Sequence, residues 1–365
     1  MSLRGREFWR SIGSPSRIVA PMVDQSELAW RILSRRYGAD LCYTPMFHAK
    51  NFWLSPKYRK EVWSSLDNGK DRPLIVQFCA NDPEDFLKAS KIVVGKCDAV
   101  DLNLGCPQNI AKRGYYGAYL QENWDLISKI IKYVNNSLDI PITAKIRIFP
   151  DKEKTLAYAR MIVESGVSIL AVHGRTREQK STMTGLSDWS QILYLRENLP
   201  SDIVIFSNGN ILWPHDVDRC LKETKVDGVM SAEGNLYNPC IFTRSNIHPI
   251  ITEIAKEYLN IIVNYKLEND RSCINAMKPH LFKILRPGLC KYEHLRNELG
   301  KTKPGELEKY FKIVEELDIL VKKAILENNN EEKIQWWHCQ PYLRPLPIQA
   351  NKSLEMASSY IVELN

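Results

Sequence analysis

Between residues 16 and 235 the chain alternates short apolar runs with longer stretches in which apolar residues return every third or fourth position. The runs cover residues 17–22, 41–43, 74–78, 99–104, 142–148, 169–173, 203–207 and 228–230. Short runs rich in Val, Ile and Leu read as buried strands and the stretches between them as helices, so this part of the chain predicts βα units on a parallel sheet. Eight such runs predict a closed TIM (β/α)8 barrel. Local signals agree. Asn123 caps a helix whose Leu126, Ile127, Ile130, Ile131 and Val134 share one face, and Gly166 supplies a left-handed stop for the helix carrying Leu156, Ala159 and Val163. Pro214 after Trp213 opens another. An open, doubly wound sheet would give the same alternation. That fold usually carries Gly-x-Gly-x-x-Gly after its first strand, where this chain has Ala20-Pro21-Met22-Val23-Asp24.

Beyond about residue 245 the strand pattern stops. Ile251, Ile254, Tyr258, Ile261 and Tyr265 make one helical stripe, and Leu307, Phe311, Val314, Leu317, Val321 and Ala324 another, predicting a smaller all-α bundle after the barrel. Between the stripes Lys278, Lys283, Arg286, Lys291, Arg296, Lys301 and Lys303 outnumber the acids Glu293 and Glu298, which gives the bundle one basic surface. The expected organisation is a catalytic barrel over 1–244, a helical region over 245–330 and an irregular arm over 331–365 that carries Trp336, Trp337 and His338.

Composition adds limits. At 365 residues, 44% hydrophobic and 25% charged, the chain fits one large globular domain with an appendage. Nine cysteines with no Cys-x-x-Cys pair and no zinc-like Cys/His spacing predict neither a disulfide framework nor a metal site. A monomer in a reducing intracellular setting, cytoplasmic or nuclear, is expected. No apolar stretch approaches the roughly 20 residues of a membrane span. Arg4, Arg6, Arg10 and Arg17 would suit a transit peptide, but Glu7 and a strand starting at Arg17 argue against one. The net charge of +7 favours an acidic partner only weakly.

In a barrel, chemistry gathers where the strands end at the carboxyl face. The strand ends here are polar: Gln77, Asn103 with Cys106, Lys145 with Arg147, His173 with Arg175, Asn208 and Glu233. Val100 to Pro107 is the most informative, because a buried strand ends in Gly105-Cys106-Pro107 and presents a thiol on a tight loop. A strand-end cysteine taken alone is more often a packing residue. A thiol, with an ordinary pKa of roughly 8.5, is also readily tuned to donate a proton or to attack. Lys145 places a cation at the mouth, suited to an anionic ring, a phosphate or an ion pair with a carboxylate. Asn208-Gly209-Asn210 and Ala232-Glu233-Gly234 close the last two strands, where barrels commonly cradle phosphate on backbone N–H groups.

The set Pro21-Met22-Val23, Gln77, Asn103-Leu104-Gly105-Cys106-Pro107, Lys145-Ile146-Arg147, His173-Gly174-Arg175-Thr176 and Asn208-Gly209-Asn210 resembles the tRNA-dihydrouridine synthases in order and spacing along most of the chain. The loop from Gly105 to Ala118 and the tail Gln340-Pro341-Tyr342-Leu343-Arg344-Pro345 look most like the eukaryotic members that act on tRNA positions 16 and 17. The resemblance implies a flavin barrel with a helical tRNA-recognition domain, FMN as cofactor, NADPH as reductant and tRNA as partner. It makes Cys106 the general acid and places Pro21, Met22, Val23, Gln77, Lys145, His173, Asn208, Gly209, Asn210, Ala232 and Glu233 around FMN. Tyr115, Tyr116 and Phe47 are candidates to stack on the base, with core packing an equally good account of each, and Arg175, Arg177 and Lys180 are candidates to touch phosphate. One departure is Ser231-Ala232-Glu233-Gly234, where bacterial members typically carry Gly-Arg; it leaves the phosphate to backbone amides and puts Glu233 in doubt. Two alternatives remain: another FMN-barrel pyrimidine oxidoreductase, dihydroorotate dehydrogenase-like, and a non-catalytic tRNA-binding chaperone.

Overall fold

A computed structural model of the chain describes residues 3–64, 70–244, 248–328 and 334–343. Nine strands form the sheet: β1 (Arg17–Val19), β2 (Leu41–Tyr43), β3 (Phe47–His48), β4 (Leu74–Cys79), β5 (Ala99–Leu104), β6 (Ile142–Arg147), β7 (Ile169–His173), β8 (Val204–Asn208) and β9 (Gly228–Ser231). Neighbours run β2-β1-β9-β8-β7-β6-β5-β4-β3, all parallel, and β2 also pairs with β4, so eight strands close into a barrel. The two-residue β3 lies beside the end of β4 and was not foreseen. The first strand stops at Val19, short of the expected Met22, because Pro21 has no N–H to extend the ladder. Asn123 caps the helix Trp124–Ser137 through its side chain, and Gly166 follows the helix Lys152–Glu164 at φ +105°.

The core has two parts. Ile18, Leu41, Tyr43, Ile75, Ala99, Ile169, Ala171, Val204, Phe206 and Met230 fill the barrel, and the helix Gly5–Ser11 adds Phe8 to the same cluster. That helix occupies the arginine-rich start of the chain. A second, larger core lies between strands and outer helices and runs on without a break into the helices Ile251–Asn264, Arg271–Ile284, Glu293–Lys301 and Leu307–Glu327. The expected boundary at 245 falls on residues 245–247, outside the described residues, as does all of the expected arm except 334–343.

Glu27 fixes the helical region to the barrel. It caps the helix Leu28–Arg36 by accepting from the Trp30 N–H, accepts from the Tyr258 hydroxyl at 2.9 Å, and lies 2.9 Å from His280 Nε2. His280 is fully buried and stacks on Trp30 with centroids 3.9 Å apart. Glu27→Ala removes a cap and leaves Tyr258 and His280 without their acceptor, so we expect a loss of about 3 kcal/mol in urea unfolding. A change below about 1 kcal/mol would show that the contact is incidental.

Candidate active site

Side chains of a strand alternate between its two faces, so residues sharing parity with a known interior residue also point inward. Ile75 and Ala99 lie inside the barrel, which sends Gln77, Asp101 and Asn103 inward too. Thr143 pairs in register with Asp101, Lys145 with Asn103 and Ala171, and Arg147 with His173, which pairs in turn with Asn208. The carboxyl half of the barrel interior is therefore polar where its amino half is apolar.

These groups form a hydrogen-bonded chain ending at the thiol loop. The Thr143 hydroxyl donates to Asp101 at 2.6 Å, the Gln77 amide donates to Asp101 at 2.8 Å, and the Asn103 amide donates to Gln77 Oε1 at 2.8 Å. Asn103 Oδ1 then accepts the backbone N–H groups of Gly105 (3.1 Å) and Cys106 (2.9 Å). Burial pushes the Asp101 carboxyl up to about 6. Asn103 was expected only as a polar strand end, and Asp101 was not expected at all. Strand parity was the signal that could have found Asp101.

Two cations hold the loop from the other side. Arg147 donates from Nε to the Gly105 carbonyl at 2.8 Å and from its guanidinium to the carbonyls of Thr176 and Gln179. Lys180 Nζ donates to the Pro107 carbonyl at 2.8 Å and to the Tyr119 hydroxyl. Gly117, at φ +64°, lies so close that a Cβ would come 2.8 Å from the Cys106 carbonyl oxygen. Cys106 itself is half-buried against Cys79, Ala111 and Tyr116. Burial pushes its thiol up, outweighing the Gln108 N–H and the cations Arg147, Lys145 and Lys180, so it stays protonated at neutral pH.

Lys145 differs from the other cations of the mouth. It is half-buried, and no hydrogen bond or ion pair from the described residues satisfies its amine. Burial and the nearby Arg147 push it down to about 8. His173 accepts a hydrogen bond at Nε2 from Arg175 at 2.9 Å, leaving its proton on Nδ1. Burial, with Lys145, Arg147 and Arg175 nearby, holds it well below 6.5 and therefore neutral.

A cavity of 490 Å³ opens beside these groups, walled by His173, by Asn208, Gly209 and Asn210, by Ala232 and Glu233, and by Tyr342 and Leu343. The two turns meet closely, since a Cβ on Gly234 would lie 2.1 Å from the Ile211 carbonyl oxygen. Gly209 is also confined by its neighbours. Its φ is +115° and a Cβ would meet Ser187 Oγ at 2.5 Å, so packing by itself already excludes a side chain. Asn208 donates to the Met230 carbonyl, and Asn210 accepts from Ser187 and Arg175.

The expected site residues thus fall into three groups on one face: the cavity set, the inner set Gln77 and Lys145 with Cys106 on its loop, and Pro21, Met22 and Val23 after β1. Val23 is 53% exposed. The stacking role expected of Phe47 and Tyr116 fails. Phe47 is core, packed on Phe52 and Phe78, and Tyr116 is buried edge-on to His48, so neither is free to stack on a base. Tyr115 is 47% exposed. Arg175 and Lys180 bind backbone and side chains within the protein, and Arg177 pairs with Glu178.

Fold and site together define a TIM-barrel enzyme with a cationic mouth and a protonated thiol on its rim. The dihydrouridine synthase (Dus) family model matches residues 18–330. The tRNA-dihydrouridine(16/17) synthase of Schizosaccharomyces pombe is 53% identical over 95% of this chain and 92% of its own, and that of Saccharomyces cerevisiae is 50% identical over 94% and 87%. A human tRNA-dihydrouridine(20a/20b) synthase-like protein is 37% identical over 63% of this chain and 71% of its own. The chain belongs to the dihydrouridine synthase family. An FMN-type group fits the residues present: a Lys145 amine without a partner among the described residues for an electron-rich ring, and a walled cavity beside it at the ends of β8 and β9 for a phosphate.

Proposed function

We propose that the protein reduces uridine to 5,6-dihydrouridine in tRNA, at positions 16 and 17, with FMN at the barrel mouth and NADPH as reductant. The observation that carries the reading is a thiol held protonated on an anchored loop, at the same mouth as a half-buried lysine that no described residue pairs. Lys145, His173 and Gln77, with Pro21, Met22 and Val23, would hold the flavin ring, and the Asn208–Asn210 turn with Ala232 and Glu233 its phosphate. Bound flavin would supply the hydride for carbon 6 of uracil. Cys106 holds the proton that carbon 5 requires, and Asn103, Arg147 and Lys180 fix where its Sγ stands. A non-catalytic chaperone has no use for that arrangement. Position 16/17 specificity is supported by the names of the two yeast relatives and by identity across nearly their whole length. Nine unpaired cysteines support a reducing compartment. Mass analysis of nuclease-digested tRNA from cells lacking the protein should show uridine at both positions, restored to dihydrouridine by the wild-type gene. Unaltered dihydrouridine in those cells would overturn the assignment.

A uracil packed within folded tRNA must be drawn out to reach the mouth, at a cost of a few kcal/mol. Phosphate contacts from the helical region would offset it. Lys283 and Arg286 suit this less than their sequence suggests. Lys283 is half-buried near Glu233, and Arg286 lies over the Tyr342 ring at 4.1 Å. Lys291, Arg296, Lys301 and Lys303 are exposed instead. Neutralising these four should flatten the dependence of log Kd for tRNA on log salt by roughly 0.7 for each phosphate no longer bound. An unchanged slope would assign the patch to ordinary solvated surface.

A further inference from the structure

The cavity has a wall that does not come from the barrel. Tyr342 and Leu343, about a hundred residues beyond β9, line it together with Asn208–Asn210 and Ala232–Glu233. The segment that carries them is well anchored. His338 bridges Ile250 in antiparallel fashion, the Ile251 N–H donates to the Trp337 carbonyl at 2.9 Å, the Cys339 N–H donates to the Pro249 carbonyl at 2.8 Å, and Trp337 and Cys339 are buried. Three residues on, the Tyr342 ring meets the barrel on one side, 5.9 Å from the ring of Tyr237 in the short helix that follows β9. Arg286 of the helical region covers it at 4.1 Å, within the range of a cation–π contact.

We propose that Tyr342 is a cofactor-binding residue: it closes the phosphate end of the flavin cavity, and Arg286 holds it in place. The proposal rests on the FMN reading and extends it, since it makes cofactor retention depend on residues outside the barrel. Removing the ring would open the cavity to water at the end where an anion is held. That wall then offers no dispersion attraction, and each charge interaction there is weakened by the higher dielectric.

The test uses the full chain stripped of flavin and titrated with FMN by fluorescence quenching, with circular dichroism to verify the fold. Tyr342→Ala should raise the FMN dissociation constant about tenfold. Tyr342→Phe, which keeps the ring, should stay within about twofold of wild type, and Arg286→Met, which keeps the chain length but not the charge, should rise about threefold. Wild-type affinity in a folded Tyr342→Ala protein would overturn the proposal and leave the FMN reading intact. If the alanine variant does not fold, Arg286→Met decides, and an unchanged constant there overturns the proposal. A wild-type chain with no affinity for FMN would overturn the cofactor reading and this proposal with it.

Discussion

Replacing Cys106 by alanine is expected to lower dihydrouridine formation about 10²–10⁴-fold, the usual cost of losing a positioned general acid, while flavin content and flavin reduction by NADPH stay at wild-type levels. The separation follows from the architecture. Cys106 stands on a loop held by Asn103, Arg147 and Gly117, whereas the cavity walls come from β7 to β9 and the arm. Removing one Sγ disturbs neither. The direction of the thiol's shift adds a pH test. In the proposed role its proton-bearing form is the active one, and burial raises the pKa, so the acid step should persist to higher pH than an ordinary thiol would allow and fail only as pH rises through the raised value. Cys106→Ser should be nearly as poor as alanine, because a hydroxyl at the same place is far less acidic. Single-turnover reduction of tRNA by pre-reduced enzyme measures the step directly, and near-normal rates in the alanine variant would remove Cys106 from the mechanism.

Strand positions were legible because burial on both faces of a parallel strand leaves a plain apolar run, and seven of the eight expected runs coincide with their strands to within one residue at either end. Caps were legible for the same local reason, as Asn123 and Gly166 illustrate. What the sequence could not supply was the path of the loops. Arg175 and Lys180 look like free cations just past a strand end. Only the folded loop shows their amine and guanidinium groups spent on Gly185, Asn210 and Pro107. Lys283 and Arg286 look like part of a basic surface for a related reason: one faces Glu233, the other Tyr342, and both partners are far away in sequence. Phe47 failed differently. It follows Pro45 within a segment that has no periodic signal, yet it begins the short β3 and is buried among other aromatics. Asp101 was readable and was missed, although it is two residues from Asn103 on one strand and must share its face.

Lys145→Met is expected to release FMN, raising its dissociation constant at least tenfold. The substitution keeps the side chain's length and removes the one cation of the mouth that is left unpaired among the described residues. Arg147, Arg175 and Lys180 cannot replace it, since each is already bound to carbonyls or side chains. The pH dependence gives the sharper test. In the flavin-free protein burial lowers Lys145 to about 8, so the amine loses its proton well below the ordinary lysine value. FMN affinity in the wild type should therefore weaken as pH rises through about 8, and that decline should be absent in Lys145→Met. Stability of the flavin-free chain should move the opposite way. Between the folded pKa and the unfolded one near 10.4 the unfolded chain binds more protons, so this residue makes the folded protein gain stability with rising pH. A dissociation constant that rises with pH while the melting temperature of the flavin-free chain also rises, both effects vanishing together in Lys145→Met, is the combined signature. Flavin binding that is flat across pH 7–9, or a methionine variant that retains FMN at wild-type affinity, would move the ring-binding cation to another residue of the mouth.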